Sequence, residues 1–242
     1  VSASRITLTH QAESACRNGR CSRLVRGSMF AGNMHHARTR YASFLILLIA
    51  TAGSAQEVVG TYRSEVATFV VERIETGLSR PWGLALLPDG DMLITERPGR
   101  LLYRDEAGIR ELAGLPPILP LGQGGLLDVV PAPDYGFSRR IYFTYAFDGG
   151  QGRTGTAIAT AIVGPSRLEG VTELYRMPRA TGSGVHFGSR IGILGDGSVV
   201  FTIGDRGSPP RAQDPADAAG SVVRLRPDGG VPADNPGVQR SD

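Results

Sequence analysis

The sequence has no lysine and very little cysteine. The absence of lysine indicates genome composition rather than function, whereas the scarcity of cysteine excludes two kinds of site. The two cysteines in a chain of 242 residues are Cys16 and Cys21, so everything after them lacks a thiol. A disulfide framework and a thiolate metal site are therefore excluded from most of the chain. All 26 basic residues are arginine, and those of residues 56–242 form no cluster of the kind that binds nucleic acid.

Long apolar runs are also missing. The stretch Phe44–Ala52 is too short for an ordinary membrane span. It follows a basic segment that begins at Met34, and it precedes Gly53 and Ala55 at the small-residue positions of a cleavage site. This order is typical of a secretory signal peptide over residues 34–55, with a short buried helix or a membrane anchor as the alternative. It predicts a periplasmic or secreted protein with no membrane attachment after cleavage.

Residues 1–33 precede this signal, are rich in Arg and Ser, and show no periodic apolar pattern. Because a signal peptide carries its basic region at the N-terminus, we expect the natural start at Met34, with Met29 as the second choice. Residues 1–33 are then a non-native or disordered extension. Seven of the 26 basic and one of the 23 acidic residues lie before Gln56, so residues 56–242 carry a net charge of −3.

Residues 56–242 are rich in Gly and Pro and have no long helical period. Short β-type runs recur instead, and each is bounded by Gly, Pro, Asp or Asn, as tight turns require. The runs are residues 82–87, 92–96, 100–104, 125–130, 140–147, 156–163, 198–203 and 221–226. The pattern predicts an all-β, antiparallel domain.

The turns between these runs repeat. Segments 86–97 and 193–206 each place Asp-Gly between two β-runs, and 130–146 is a third copy with a longer turn. Type I′ hairpins favour Asp-Gly because glycine accepts a positive φ. A period near ~50 residues with about four strands is typical of β-propeller blades, whereas a β-sandwich does not repeat one hairpin. The turn residues are Asp89, Asp134 and Asp196.

The number of repeats predicts an incomplete propeller. Residues 56–242 hold roughly three such units, whereas closed propellers have typically 4–8 blades. An unclosed row of blades leaves a sheet face exposed, which favours aggregation. We therefore expect residues 56–242 to be the N-terminal part of a larger propeller domain, from a gene fragment or a frameshift.

Four blocks of this region, in order, resemble the soluble aldose sugar dehydrogenases that depend on pyrroloquinoline quinone (PQQ), in the glucose/sorbosone dehydrogenase family. They are GLSRPWGLALLPDGDMLITERPGRL (77–101), GQGGLLDVVPAPDY (122–135), HFGSRIGILGDGSVVFTIGDRG (186–207) and AQDPADAAGSVVRLRPDGGVPADNP (212–236). The resemblance implies a six-bladed β-propeller, of which about the first three blades are present. It also implies oxidation of the anomeric hydroxyl of an aldose to a lactone. In that reaction PQQ takes the hydride, Ca²⁺ polarises the quinone, and an external acceptor removes the electrons.

Two residues match functional positions of the family. His186, the single histidine of residues 56–242, matches the general base of the HFGSR block. Imidazole suits that role because a base that removes a hydroxyl proton must titrate near neutral pH. Gln123 matches a glutamine that hydrogen-bonds PQQ, and its amide offers both a donor and an acceptor. The alternatives are an exposed loop histidine and a polar turn residue.

Other polar residues are expected in structural roles. Arg206 could pair with a PQQ carboxylate, but a salt bridge with Asp205 or Glu96 is the favoured expectation. Trp82 is expected in the blade core rather than stacked on a cofactor. Turn and cap roles are expected for three acidic residues that lack the alternating spacing of a calcium loop, namely Asp128, Asp205 and Asp214.

The resemblance ends after Pro236, where the family usually has Phe and this sequence has Gly237. In the family, an Arg-Asn pair, a Gly-Pro calcium loop and the Lys and Arg residues that hold PQQ follow that point. We therefore expect most of both cofactor sites to lie beyond this chain, and no catalysis by the chain alone. One alternative is a non-catalytic propeller that binds a ligand or partner, which the presence of both Gln123 and His186 disfavours. Another is a Ca²⁺-dependent propeller hydrolase such as a lactonase, which would need a cluster of acidic ligands.

Overall fold

The computed structural model describes residues 3–8 and 57–236. The predicted signal peptide, both candidate start residues and both cysteines lie outside the described residues. The chain divides into two units, one of residues 4–73 and one of residues 74–242 with the first three residues. Within the described residues no helix is long and apolar enough to span a membrane.

The smaller unit contributes a three-stranded sheet. Its strands are β1 (Ala3–Leu8), β2 (Glu57–Arg63) and β3 (Thr68–Glu75), in the order β1-β3-β2. Strands β2 and β3 pair antiparallel around a turn in which Ser64 and Ala67 exchange hydrogen bonds. β1 lies within the segment predicted to be an extension, and that interpretation stays a prediction.

The larger unit holds three antiparallel sheets that follow one another along the chain. The first blade consists of β4 (Pro81–Leu86), β5 (Met92–Glu96), β6 (Arg100–Asp105) and β7 (Gly108–Leu112). The second consists of β8 (Leu126–Pro131), β9 (Arg140–Asp148), β10 (Thr154–Val163) and β11 (Leu168–Arg176). The third consists of β12 (Ile191–Ile193), β13 (Val199–Thr202) and β14 (Val222–Leu225). The helical elements described are α1 (Tyr135–Ser138) and a 3₁₀ turn (Pro209–Gln213).

The first strand of each blade packs against the next blade or the one before it. β4 lies against β8, and β12 lies against β8 and β9. Apolar side chains from all three blades form one continuous core, since alternate residues of each strand face the neighbouring sheet. Its members include Leu93, Leu101, Val129, Phe143, Phe201 and Leu225. The chain is therefore part of a β-propeller, and the predictions of an all-β fold and of about three blades are confirmed.

A threonine on the second strand of each blade repeats one hydrogen-bonding pattern. Thr95 accepts from the Gly83 N–H of its own blade and donates to the Leu127 carbonyl of the next. Thr144 accepts from the Asp128 N–H (3.0 Å) and donates to the Ser189 carbonyl (2.9 Å) at the start of the third blade. Thr202 accepts from the Arg190 N–H at 3.2 Å. The Thr95 and Thr144 hydroxyls therefore each link their own blade to the next.

The repeated hairpin predicted from the sequence joins the first and second strands of every blade. The turn type, however, was predicted wrongly. In the turns 87–91 and 194–198, φ is positive only at Gly90 and Gly197, whereas a type I′ turn needs positive φ at both central residues. The N–H of each glycine donates to the carbonyl three residues earlier, and Pro88 holds the next position of the first turn at a negative φ. Both are therefore type I turns followed by a left-handed glycine.

Candidate functional site

Residues 183–190 connect the second blade to the third, and we call them the His186 loop. Two of its non-glycine residues have left-handed backbone conformations, with φ of 54° at His186 and 89° at Ser189. Such conformations are costly for residues other than glycine and persist only where the surroundings hold them in place. The strained backbone at the predicted base therefore requires contacts that hold the loop in place.

Backbone carbonyls along the loop are anchored by the second blade. The Gly184 carbonyl accepts from the Gln123 N–H at 2.7 Å. The Phe187 carbonyl accepts from the Thr156 hydroxyl of β10 at 2.7 Å, and the Ser189 carbonyl accepts from Thr144 of β9. The backbone around His186 is therefore fixed before any ligand arrives, which is a condition for precise positioning of a reactive group.

Gln123 and His186 lie 63 residues apart in the sequence and are in direct contact. The Oε1 atom of Gln123 accepts a hydrogen bond from the backbone N–H of His186 at 2.9 Å. The two residues predicted to share a site are therefore brought together. The amide nitrogen of Gln123 makes no hydrogen bond within residues 57–236, and so it can donate to a ligand.

Asp205 orients the imidazole of His186. Its Oδ1 atom lies 2.6 Å from Nδ1 of His186 and also accepts from the Gly207 N–H at 2.9 Å. These two donors lower the pKa of the Asp205 carboxyl, which stays ionised. When Nδ1–H donates to the carboxylate, Nε2 is left as a proton acceptor. The His186 side chain is 54% exposed, so a ligand can reach it.

The sequence interpretation gave Asp205 a turn role, which its bond to Gly207 confirms, but it missed the contact with His186. A signal was present in the strand pattern. His186 precedes β12 and Asp205 follows β13, and these two strands pair antiparallel. The start of one antiparallel strand and the end of its partner lie at the same edge of a sheet, so the two side chains could have been expected to meet.

The expected salt bridge of Arg206 with Asp205 or Glu96 was wrong. The Arg206 guanidinium donates instead to the backbone carbonyls of Ser183 and Val185 in the His186 loop. It also lies 3.6 Å from the ring centroid of Phe187. Asp205 is engaged by His186, and Glu96 pairs with Arg100 at 2.9 Å and accepts from the Ser79 N–H.

The remaining sequence-predicted residues have structural roles. Asp128 is 1% exposed, accepts from the Ile191 N–H at 2.8 Å and pairs with Arg190, so it ties the second blade to the third. Asp214 caps the Ala216 N–H at 3.0 Å, as expected of a turn residue. Trp82 packs against a cluster of Leu127, Ala146 and Phe187. Trp82 is half-buried and lies at the edge of this small cluster, outside the main core.

The surroundings of Gln123 offer a hydrogen-bond donor to a polar cofactor. A Cβ atom at Gly122 would overlap the Gly184 carbonyl oxygen, so only glycine permits this close approach of the two chain segments. The free amide nitrogen of Gln123 is a donor suited to quinone and carboxylate oxygens, whereas Nε2 of His186 is an acceptor suited to a hydroxyl proton. The described residues hold no group of three or more His, Cys, Asp or Glu with metal-binding spacing. The Gln123 amide therefore fits an oxygen of PQQ, and the described residues are assigned no role toward Ca²⁺.

Comparison with known proteins agrees with the fold. Residues 78–242 match the protein family described as Glucose / Sorbosone dehydrogenase. The chain is 39% identical over 181 residues to the aldose sugar dehydrogenase YliI of Escherichia coli K12, which is 72% of this chain and 48% of that protein.

Two solved structures are similar in fold. The soluble aldose sugar dehydrogenase of E. coli, in its apo form, superposes with a TM-score of 0.65 and 38% identity, over 68% of this chain and 49% of that one. The PQQ-bound aldose sugar dehydrogenase of Streptomyces coelicolor superposes with a TM-score of 0.60 and 26% identity, over 75% of this chain and 51% of that one. The chain thus spans about half the length of the relatives it matches.

Proposed function

The chain belongs to the glucose/sorbosone dehydrogenase family, and from that premise we propose that it forms the N-terminal half of a PQQ-dependent aldose dehydrogenase. The proposal extends to export through the signal peptide at residues 34–55 and to an external electron acceptor. It extends also to Ca²⁺, bound by residues outside the described part. The contact that carries the proposal joins Gln123, the His186 backbone and the Asp205 carboxylate.

His186 acts in this proposal as the general base. Its Nε2 accepts the proton of the anomeric hydroxyl, and the hydrogen on the anomeric carbon leaves with its electron pair, so that a C=O bond forms and the sugar becomes a lactone. PQQ, when bound, supplies the two-electron acceptor for that hydride. Asp205 stabilises the imidazolium that forms and keeps the ring in one orientation, as a buried or hydrogen-bonded carboxylate does beside other catalytic histidines.

Gln123 links cofactor binding to the position of the base. Its Oε1 holds the backbone of His186, while its amide nitrogen can donate to an oxygen of PQQ. A ligand bound at that nitrogen therefore lies beside the residue that takes the proton. Proximity of this kind is what converts a bound sugar and cofactor into a reacting pair.

The test measures PQQ binding by absorbance and sugar-dependent dye reduction. It uses the full chain alone and the full chain mixed with the C-terminal half of the E. coli relative. We expect His186→Gln to keep PQQ binding and lose about 10²- to 10⁴-fold in oxidation rate, the contribution typical of a general base. Gln123→Leu is expected to weaken PQQ binding by about tenfold, the equivalent of one hydrogen bond.

Gln213→Leu is the matched control, since Gln213 lies exposed at the end of the 3₁₀ turn, and it should change neither value. Dye reduction that persists in His186→Gln would contradict the role of the base. If neither preparation binds PQQ or oxidises an aldose, the proposed function is wrong. A non-catalytic propeller is then the better interpretation.

A further inference from the structure

We propose that Arg206 is the positioning residue of the His186 loop: its guanidinium holds the loop from the interior so that the imidazole keeps its contact with Asp205. This inference rests on the proposed function. It concerns the geometry of the site before any substrate or cofactor binds. It can therefore be tested on the free protein.

The burial of Arg206 needs an explanation. The residue is 2% exposed, and no carboxylate within residues 57–236 lies within salt-bridge distance of it. A buried cation without a counter-ion is costly. Burial, together with the nearby positive charge of Arg211, lowers the pKa of Arg206 to about 10. Such a residue is retained where its contacts do something that an apolar side chain could not.

The polar and aromatic contacts of the Arg206 guanidinium within residues 57–236 all go to the His186 loop. Two nitrogens donate to the Ser183 and Val185 carbonyls, and the planar group stacks on the Phe187 ring. These three residues surround His186 in the sequence. A planar fork of donors can hold two carbonyls at once and still stack on a ring, which a lysine cannot do.

Arg206 and Gln123 hold alternate residues of the same short segment. Gln123 binds the Gly184 carbonyl and the His186 N–H, whereas Arg206 binds the carbonyls of Ser183 and Val185. Both sets of bonds are needed to keep His186 at its left-handed φ of 54°. Loss of the Arg206 set frees the loop to relax, and the imidazole then swings away from Asp205.

Arg211, a nearby arginine with a structural role, provides the comparison for Arg206. Its side chain is 13% exposed, and it forms a two-pronged pair with Asp217 at 2.7 and 3.0 Å. It also donates to the Arg179 carbonyl. None of these partners belongs to the His186 loop. Arg211 is therefore a control with similar chemistry: its charge lies near Arg206, but within residues 57–236 its hydrogen bonds all go outside the His186 loop.

The experiment reads the tautomer of His186 by ¹⁵N NMR of the histidine-labelled full chain, with His186→Gln used to assign the signal. In the unchanged protein we expect the Nδ1–H form that Asp205 fixes. Arg206→Met keeps the volume and removes the donors, and a mixture of tautomers is expected. Arg206→Lys keeps the charge and should restore the single tautomer only in part. Arg211→Met should leave the His186 signal unchanged even if it lowers the melting temperature.

An unchanged tautomer in both Arg206 variants overturns the proposal, as does a change of equal size in Arg211→Met. If Arg206→Met does not fold, Arg206→Lys decides the question. The result is separable from the proposed function because the tautomer is read without PQQ or sugar. A protein that fails to oxidise aldoses can still show the Arg206 effect, and an active enzyme can lack it.

Discussion

The two ends of the blades are built by different means. At one end, the Asp-Gly turns 87–91 and 194–198 repeat a local solution in which the positive φ falls on glycine. At the other end, the His186 loop places positive φ on His186 and Ser189 and is held by residues 21 to 63 positions away. A turn that any blade can use is encoded by its own residues. A loop that carries a reactive side chain needs support from elsewhere in the fold.

The largest expected effect is on the free energy of unfolding. It distinguishes a steric overlap at Gly204 from backbone strain at Gly197. A Cβ atom at Gly204 would overlap the His186 carbonyl oxygen, although the φ of Gly204 is not positive. Gly204→Ala should therefore destabilise the protein by about 3 kcal/mol through overpacking, and it should shift the His186 NMR signal. The free energy of unfolding is measured by urea titration of the full chain.

Gly197 provides the matched control at the other end. It has a φ of 82°, and no atom lies within 4 Å of the position that a Cβ atom would take, so Gly197→Ala meets only the strain of the left-handed region. The expected loss is about 1 kcal/mol, with no change at His186. Equal losses at the two glycines, or a His186 shift in Gly197→Ala, would break the distinction between the two ends.

A smaller effect is expected at the hydroxyl that links the second blade to the His186 loop. Thr144 is fully buried, and Thr144→Val leaves the Asp128 N–H and the Ser189 carbonyl without this partner. We expect a loss of about 2 kcal/mol in unfolding free energy, since buried unpaired groups carry the desolvation penalty. Thr160→Val is the control, because Thr160 donates only to the Ile141 carbonyl of its own blade. The idea fails if Thr160→Val costs as much as Thr144→Val.

The smallest effect concerns acid stability. The Ser198 N–H and then the Arg224 guanidinium lower the pKa of Asp196 to about 2. A carboxyl whose pKa is depressed by folding adds stability above its unfolded pKa of about 4, and that stability is lost as the pH falls toward 2. The melting temperature of Asp196→Asn should therefore lie below that of the unchanged chain near pH 6, and the two should converge near pH 2.

Asp205 allows the same measurement at the site. Its pKa is lowered first by His186 and then by the Gly207 N–H, so its contribution to folding stability at neutral pH has the same sign as that of Asp196. Asp205→Asn should also change the His186 NMR signal, whereas Asp196→Asn should not. A His186 signal that responds to both substitutions would show that the two ends are coupled.

The same contrast explains what the sequence could predict. The repeated turns revealed the inner strands and the blades, because turn chemistry is local, but the outer strands β7 and β11 were not among the predicted runs. Gln123 and His186 were found through the family resemblance, and their direct contact agrees with a shared site. Arg206 was misassigned because its partners are carbonyl oxygens, which every residue carries and no sequence pattern marks. The turn role of Asp205 was predicted from its local sequence. Its contact with His186 was missed, because that contact depends on the pairing of β12 with β13.

The threonine hydroxyls give the row of blades a direction. Thr95 and Thr144 each accept a hydrogen bond within their own blade. Each then donates one to a carbonyl of the blade that follows, Thr95 to Leu127 and Thr144 to Ser189. Thr202 receives the Arg190 N–H, and within residues 57–236 its own proton meets no acceptor. The links between consecutive blades therefore all point the same way along the chain, and the two ends of the row are unlike. A further blade packed against the third in the same way would need a first strand that offers a backbone carbonyl to the Thr202 hydroxyl.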